Sequence, residues 1–394
     1  MTENKLNALY AKLCLCTVFR KVTDKPLFKA FERYCLAETS NEKRKAYAAL
    51  AEIIYENGGS LTDSVVRLVS EDENVYVKCV AADKIPDKNI ETAARKELSA
   101  FALFGALCRK DFAEDMGECE CDLPDFLSVN ADMGGIYDER LKNLHRYGYG
   151  IFSSRCMFRL SDDKEIEPIV SADKTSMAQF IGYEQERAKV VENTRAFIAG
   201  RPAANVLLCG DAGTGKSSTV KAVANEFFGD GVRLIELRKD QLRYLPNVMA
   251  KVSGNPLKFI IFIDDLSFNK NNDDFSMLKA ALEGSASAKA DNAVIYATSN
   301  RRHIIKESFG DREGDDVHRN DTLQETLSLS ERFGLTVLFS KPNKALYLEI
   351  VKELAQRNGV EMEEQTLFIK AEEFAIRKGN RSARCAEQFV KSLM

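Results

Sequence analysis

The sequence predicts an α/β protein: a parallel sheet covered by helices on both faces, a small helical lid after it, and a mostly helical N-terminal domain and a β-hairpin before it. Three observations predict this. The second half carries five short runs rich in Val, Ile, Leu and Phe, separated by helical stretches, as strands of a buried parallel sheet are. A glycine-rich loop stands between the first of those runs and a helix. The opening 110 residues or so repeat apolar side chains at helical spacing,.

At 394 residues the chain is too long for one compact core,. Hydrophobic residues make up 45% and charged residues 29%, the balance of a folded globular protein rather than a disordered one. With 56 basic and 60 acidic side chains the net charge is −4, so no global field is available to hold a phosphate backbone and nucleic-acid binding is not expected. No run approaches the roughly 18 apolar residues of a membrane span, and the N-terminus lacks a signal peptide's regions; a cytoplasmic location without membrane contact is expected. The ten cysteines are scattered. Buried free thiols are the expectation for them, and no zinc site is expected, because the pairs Cys14/Cys16 and Cys119/Cys121 lack the usual C-x2-4-C spacing,.

The elements follow in order. Leu6, Leu9, Tyr10 and Leu13 share one helical face, and Tyr47, Leu50, Ile53 and Ile54 another, which Gly58-Gly59 ends,. A third helix is predicted over 89–109, apolar nearly all round and therefore central,. Glycines and acidic residues over 112–135 read as a loop or connector,. The helical domain is accordingly placed at 1–135. Residues 149–160 and 166–170 read as a hairpin,, so 136–179 is taken as hairpin and linker. The sheet strands are predicted at 205–209, 232–237, 259–263, 293–298 and 335–339, within an α/β domain at 180–341. Pro342 closes the last strand, and helices at 344–357, 371–378 and 382–393 form the lid at 342–394.

Chemistry concentrates at the C-terminal ends of these strands, where open α/β sheets bind ligands. Gly210, Asp211, Ala212, Gly213, Thr214, Gly215, Lys216 and Ser217, with Ser218 next, fit G-x-x-x-x-G-K-[ST] between a strand and a helix,. Glycines let successive N–H groups point at phosphates, and the helix N-terminus adds positive potential. Lys216 supplies charge to the β- and γ-phosphates, and Ser217 a hydroxyl for Mg²⁺. The apolar run 259–263 delivers Asp264 and Asp265. Asp264 reads as a Mg²⁺ ligand through water; Asp265 reads either as the residue that polarises the attacking water or as the cap of a following helix. Asn300, ending Tyr296-Ala297-Thr298-Ser299-Asn300, reads as a residue aligning that water or as a turn former. Arg332, before the last predicted strand, reads as an arginine finger, and Arg381, opening the last lid helix, as a γ-phosphate contact, with Arg384 left open as the lid arginine instead; Arg332 or Arg381 could also be an ordinary surface ion pair, the commoner fate of an arginine.

Five motifs in order resemble the AAA+ ATPases, and most closely the bacterial family catalogued as domain of unknown function 815. They are Phe180-Ile181-Gly182-Tyr183-Glu184, Asp264-Asp265-Leu266-Ser267-Phe268, Ala297-Thr298-Ser299-Asn300-Arg301-Arg302-His303, Leu327-Ser328-Leu329-Ser330-Glu331-Arg332-Phe333-Gly334 and Arg381-Ser382-Ala383-Arg384. The resemblance implies a sheet ordered 5-1-4-3-2, ATP held between sheet and lid with adenine near Ile181 and Tyr183, and a homo-oligomer in which Arg332 acts in trans. It names no substrate. Most AAA+ members carry Asp-Glu where this chain has Asp264-Asp265; the shorter carboxylate implies slow turnover.

Three functions stay open at this point. One is an oligomeric ATPase remodelling an unknown protein or nucleoprotein partner recruited by the N-terminal domain. Another is a nucleotide-dependent binding switch that hydrolyses slowly. The third is a DNA-associated loader, suggested by Arg301-Arg302-His303 but opposed by Asp311, Glu313, Asp315 and Asp316, which cancel the local charge,. The polar segment 309–322 reads as a connector or as a loop that touches substrate,.

Overall fold

The computed structural model describes residues 5–266, 278, 282, 290–300 and 332–394. The chain divides into two compact units, Met1–Ser154 and Arg155–Met394.

The first unit is helical: α1 Lys5–Cys14, α2 Arg20–Thr23, α3 Pro26–Leu36, α4 Ser40–Glu56, α5 Leu61–Glu71, α6 Val75–Ala81, α7 Lys88–Gly105, α8 Arg109–Met116, α9 Met133–Lys142 and α10 Leu144–Tyr147. Local chemistry sets the starts. Thr39 and Glu42 form a reciprocal capping box at α4, and Ser60, Asn74 and Asp87 cap α5, α6 and α7 through their side chains,. As its composition predicts, α7 lies at the centre, with Ala94, Leu98, Phe101 and Phe104 buried. Its Glu97, only 6% exposed, accepts N–H bonds from Thr17, Val18 and Phe19, so a buried carboxylate fixes the turn between α1 and α2.

Two expectations are corrected here. The third helix stops at Gly105 rather than running to 109, because Cys108 starts α8, with the Asp111 carboxylate accepting the Cys108 N–H at 3.0 Å. The helical unit also continues past residue 135: Met133 and Tyr137 of α9 join its core, and the unit ends at Ser154.

Among the described residues the second unit is built on seven strands: β1 Met157–Leu160, β2 Ile166–Pro168, β3 Val206–Gly210, β4 Val232–Leu237, β5 Lys258–Ile263, β6 Ala293–Ser299 and β7 Leu335–Phe339. Their order is β2-β1-β4-β5-β6-β3-β7. From β7 to β4 this is the expected 5-1-4-3-2. The hairpin is no separate linker element: β1 runs parallel to β4 and extends the sheet by two strands, β2 closing that side antiparallel. Every side chain from Phe259 to Ile263 is fully buried, as a strand covered on both faces must be. Helices α11 Glu184–Ile198 and α12 Lys216–Glu226 contribute Val190, Phe197, Val220 and Val223 to one core with Leu208, Ile260 and Tyr296; α13 Leu245–Val252 follows β4.

The lid comprises α14 Lys344–Arg357, α15 Glu364–Lys378 and α16 Ala383–Lys391, around Tyr347, Ile350, Ala371 and Phe389. Its second helix begins at Glu364, seven residues before the expected start at 371. Gly379, at φ 71°, ends α15, and Ser382 caps α16 by accepting the Cys385 N–H at 3.1 Å,.

Among the described residues no helix is long and apolar enough to cross a membrane. Of the cysteines expected as buried free thiols, Cys16, Cys209 and Cys385 are buried, whereas Cys79 and Cys108 are half-buried. Cys119 and Cys121 depart from the expectation, being exposed and disulfide-bonded to each other.

Candidate functional site

Strand β3 is buried along its whole length and opens into the glycine-rich loop. Gly210 sits at φ 134°, and a Cβ there would collide with the Phe339 carbonyl oxygen of β7, so only glycine lets the loop leave the sheet at this point. Gly213 and Gly215 are left-handed too, at φ 76° and 89°, and Gly215 is the N-cap of α12. Lys216 is 4% exposed and its ammonium donates to the carbonyls of Gly210 at 3.1 Å and Asp211 at 2.7 Å. Burial lowers its pKa, and the carboxylates of Asp211, Asp264 and Asp265 act in the opposite sense,.

Parallel register brings the next residues to the same edge, since β5 pairs Ile263 with Ala297 and β3 pairs Cys209 with Ser299. Asp264 Oδ1 accepts the hydroxyls of Ser217 and Thr298, each at 2.6 Å, and the Asp265 N–H at 3.0 Å. Thr298 also accepts the Asp265 N–H, at 2.9 Å. Asp265 is held at φ 51°, a backbone conformation uncommon outside glycine and concentrated at functional sites. It is not the extended conformation of an N-cap residue. Its exposed carboxylate accepts from Asn300 Nδ2 at 2.8 Å and pairs with the Lys239 ammonium at 3.3 Å.

On the other side of the loop lies a cavity of about 450 Å³ lined by Phe180, Ile181, Tyr183, Gly213, Ser218 and Arg384, among others. Tyr183 opens α11 at φ 59°, its ring 5.4 Å from that of Phe339 and its hydroxyl donating to Ser340 O at 2.6 Å. The lid reaches this cavity through α16, where the Arg384 N–H donates to Gly213 O at 3.3 Å. Arg381 is engaged elsewhere: its guanidinium grips Glu372 of α15 at 3.0 and 2.8 Å. Arg332 precedes β7, and the pairing of Leu335 with Val206 and of Phe339 with Gly210 puts it at the edge of the sheet opposite the loop.

The structure thus gathers the 210–218 loop, Asp264, Asp265 and Asn300 at one edge, sets Ile181 and Tyr183 in the adjoining cavity, and leaves Arg381 and Arg332 apart. Sequence reasoning missed Thr298 and Lys239. Alternation along β6 puts Thr298 on the side of Asn300, a signal that was present; Lys239 left none, because it approaches from the turn after β4. Ser267, Phe268, Arg301, Arg302, His303, the segment 309–322 and residues 327–331 lie outside the described residues, and with them the basic cluster of the loader reading.

A family model described as Protein of unknown function (DUF815) matches residues 153–394. No curated protein matches. Among solved structures the chain is similar to the RuvB Holliday junction branch migration motor of Thermotoga maritima, at 18% identity and a TM-score of 0.36 over 55% of this chain and 63% of that one. Two substituted forms of the same RuvB are similar at 17% and 16% identity, with TM-scores of 0.38 and 0.34, covering 55% and 56% of this chain and 63% and 72% of theirs. The match to the first of these structures spans less than two thirds of its length. The family model covers the whole sheet of the second unit, its glycine-rich loop and its lid, more than half of the chain, and the chain therefore belongs to the DUF815 family.

Proposed function

We propose that this chain is a Mg-ATP-dependent ATPase that assembles as a homo-oligomer and acts on a protein partner recruited by its helical N-terminal unit. One observation carries the reading: a carboxylate at the end of β5 meets the hydroxyl that follows the loop lysine, Asp264 Oδ1 to Ser217 Oγ at 2.6 Å. Two hard oxygen donors side by side at a phosphate-binding loop suit Mg²⁺. Ser217 and Asp264 would hold the ion, the N–H groups of the loop and Lys216 the triphosphate, and Ile181 and Tyr183 the adenine. Mg²⁺ bound with ATP supplies neutralisation of the charge that develops on the transferred phosphoryl group. Asp265 orients and polarises the attacking water, and Asn300, bonded to that carboxylate, fixes its direction. Lys216, already desolvated, brings an ammonium whose charge is screened little.

Arg332 lies four strand residues or more from its own loop, roughly 13 Å at about 3.3 Å per residue, which supports action on a neighbouring subunit's nucleotide. Lid contact with nucleotide falls to Arg384 rather than Arg381, since Arg384 lines the cavity and Arg381 is held by Glu372. Lys216→Ala is expected to abolish both ATP binding measured by calorimetry and phosphate release; an unaltered hydrolysis rate in that variant overturns the proposal.

A second reading, a switch that binds ATP tightly and hydrolyses it slowly, is favoured by the Lys239 contact. The Lys239 ammonium meets Asp265 Oδ2 at 3.3 Å while Asn300 donates to Oδ1 at 2.8 Å, so both oxygens of that short side chain are already engaged by the chain itself rather than left to a water. Single-turnover hydrolysis separates the readings: a motor turns over steadily, whereas a switch retains unhydrolysed ATP.

A further inference from the structure

Outside the nucleotide site, the first unit brings two sulfurs together on its surface. Cys119 and Cys121 flank Glu120 at the start of a short 3-10 turn, Glu120–Asp122, after the left-handed Gly117 that ends α8. Both are exposed, and they are disulfide-bonded with their Cα atoms 5.4 Å apart, inside the usual range of about 4.4 to 6.8 Å. The other eight cysteines are free, and burial raises the thiol pKa of Cys16, Cys35, Cys156 and Cys209, which makes those four poor nucleophiles. Accessibility and a partner in bonding position therefore coincide only at 119 and 121 among the described cysteines.

We propose that Cys119 and Cys121 form a reversible dithiol–disulfide modification site, oxidised by low-molecular-weight disulfides. In the forward direction one of the two thiolates attacks a sulfur of the small disulfide, forming a mixed disulfide and releasing one small thiolate. The second cysteine thiolate then attacks the protein sulfur, closing the Cys119–Cys121 bond and releasing the other. The protein loses two electrons and two protons, and the small disulfide gains both to become two thiols. Closure pins the loop between two ion pairs that already tie it to neighbouring helices, Arg44 with Glu118 and Arg109 with Glu120. A single intervening residue leaves the pair little freedom to part, so intramolecular closure outruns attack of the second thiolate on another small disulfide.

The test uses the full chain, equilibrated with oxidised glutathione, trapped with a thiol alkylator and read by peptide-resolved mass spectrometry. The 119–121 peptide is expected to lose two hydrogens without gaining glutathione and to recover both thiols in dithiothreitol. Cys14, exposed and not disulfide-bonded, is expected instead to carry one glutathione. In Cys119→Ser and Cys121→Ser the remaining cysteine should accumulate the mixed disulfide, and limited proteolysis at 117–123 should speed up to the rate of reduced wild type. A 119–121 peptide that stays reduced while Cys14 is modified, whether bare or holding Zn²⁺, overturns the assignment; so does one that collects two glutathiones.

Discussion

Thr298 is the residue on which the geometry of the carboxylate pair turns. Its hydroxyl donates to Asp264 and accepts from the Asp265 N–H, using one donor and one lone pair of a group that is 2% exposed,. Removing it leaves a strained left-handed backbone with a single acceptor for its N–H. Thr298→Val should cost about 1 to 3 kcal/mol of stability and lower the hydrolysis rate more than ATP affinity, while Thr298→Ser restores both; thermal unfolding and steady-state phosphate release measure the two effects. Asp265 makes a complementary case. Asp265→Asn keeps a residue tolerant of positive φ and so should fold and, under the proposed function, bind ATP but turn over about 100-fold more slowly or worse, because the water would lose its proposed base.

The strands were legible because each is a continuous apolar run, and β3, β4, β5, β6 and β7 start or end within about a residue or two of the expected limits, the usual uncertainty of such boundaries. Joining the hairpin to β4 was not legible, since pairing Phe158 with Ile235 is a contact between distant parts of the chain that leaves no local mark. The same holds within the site. The loop is read from adjacent residues, whereas the bond from Thr298 to Asp264 links two strands that periodicity cannot register against each other. At this scale Gly210 tests the sheet itself: Gly210→Ala drives a methyl group into the Phe339 carbonyl and should destabilise the second unit by more than about 3 kcal/mol, visible as a loss of denaturant midpoint. The lid carries a pH test. Glu372 is held below its ordinary pKa of 4.5, chiefly by its hydrogen bonds to Arg381. A depressed folded-state value means that the unfolded chain takes up the proton first, so this contribution is present above about pH 4.5 and fades as pH falls through the lowered value. Wild type should therefore lose more melting temperature on acidification than Glu372→Gln does.

Across the whole molecule, each unit has its own core, one helical around Phe101 and Phe104, the other around the sheet. The change of texture along the chain pointed to several segments with the first boundary at 135 rather than to one at Ser154, because α9 and α10 look polar in sequence and bury only Met133, Tyr137 and Leu144. The placement of Arg332 across the sheet from its own loop carries a prediction about assembly. Mixing Lys216→Ala with Arg332→Ala, each inactive alone, should restore hydrolysis, since some neighbours in the mixed assembly would combine an intact loop with an intact arginine; a mixture as inactive as its components argues that Arg332 serves no neighbour.

Strand β3 lies between β6 and β7, both encoded later in the chain, and each step of that topology waits on translation. A ribosome that has delivered the glycine-rich loop still lacks both flanks of its supporting strand. The nascent second unit thus lacks a flank of β3 until residues 335–339 emerge, and premature termination anywhere upstream leaves the glycine-rich loop without the Phe339 carbonyl against which Gly210 packs. Synthesis proceeds at roughly 5 to 20 residues per second, so the helical unit has roughly 10 to 40 seconds to fold alone before the sheet of the second unit can close.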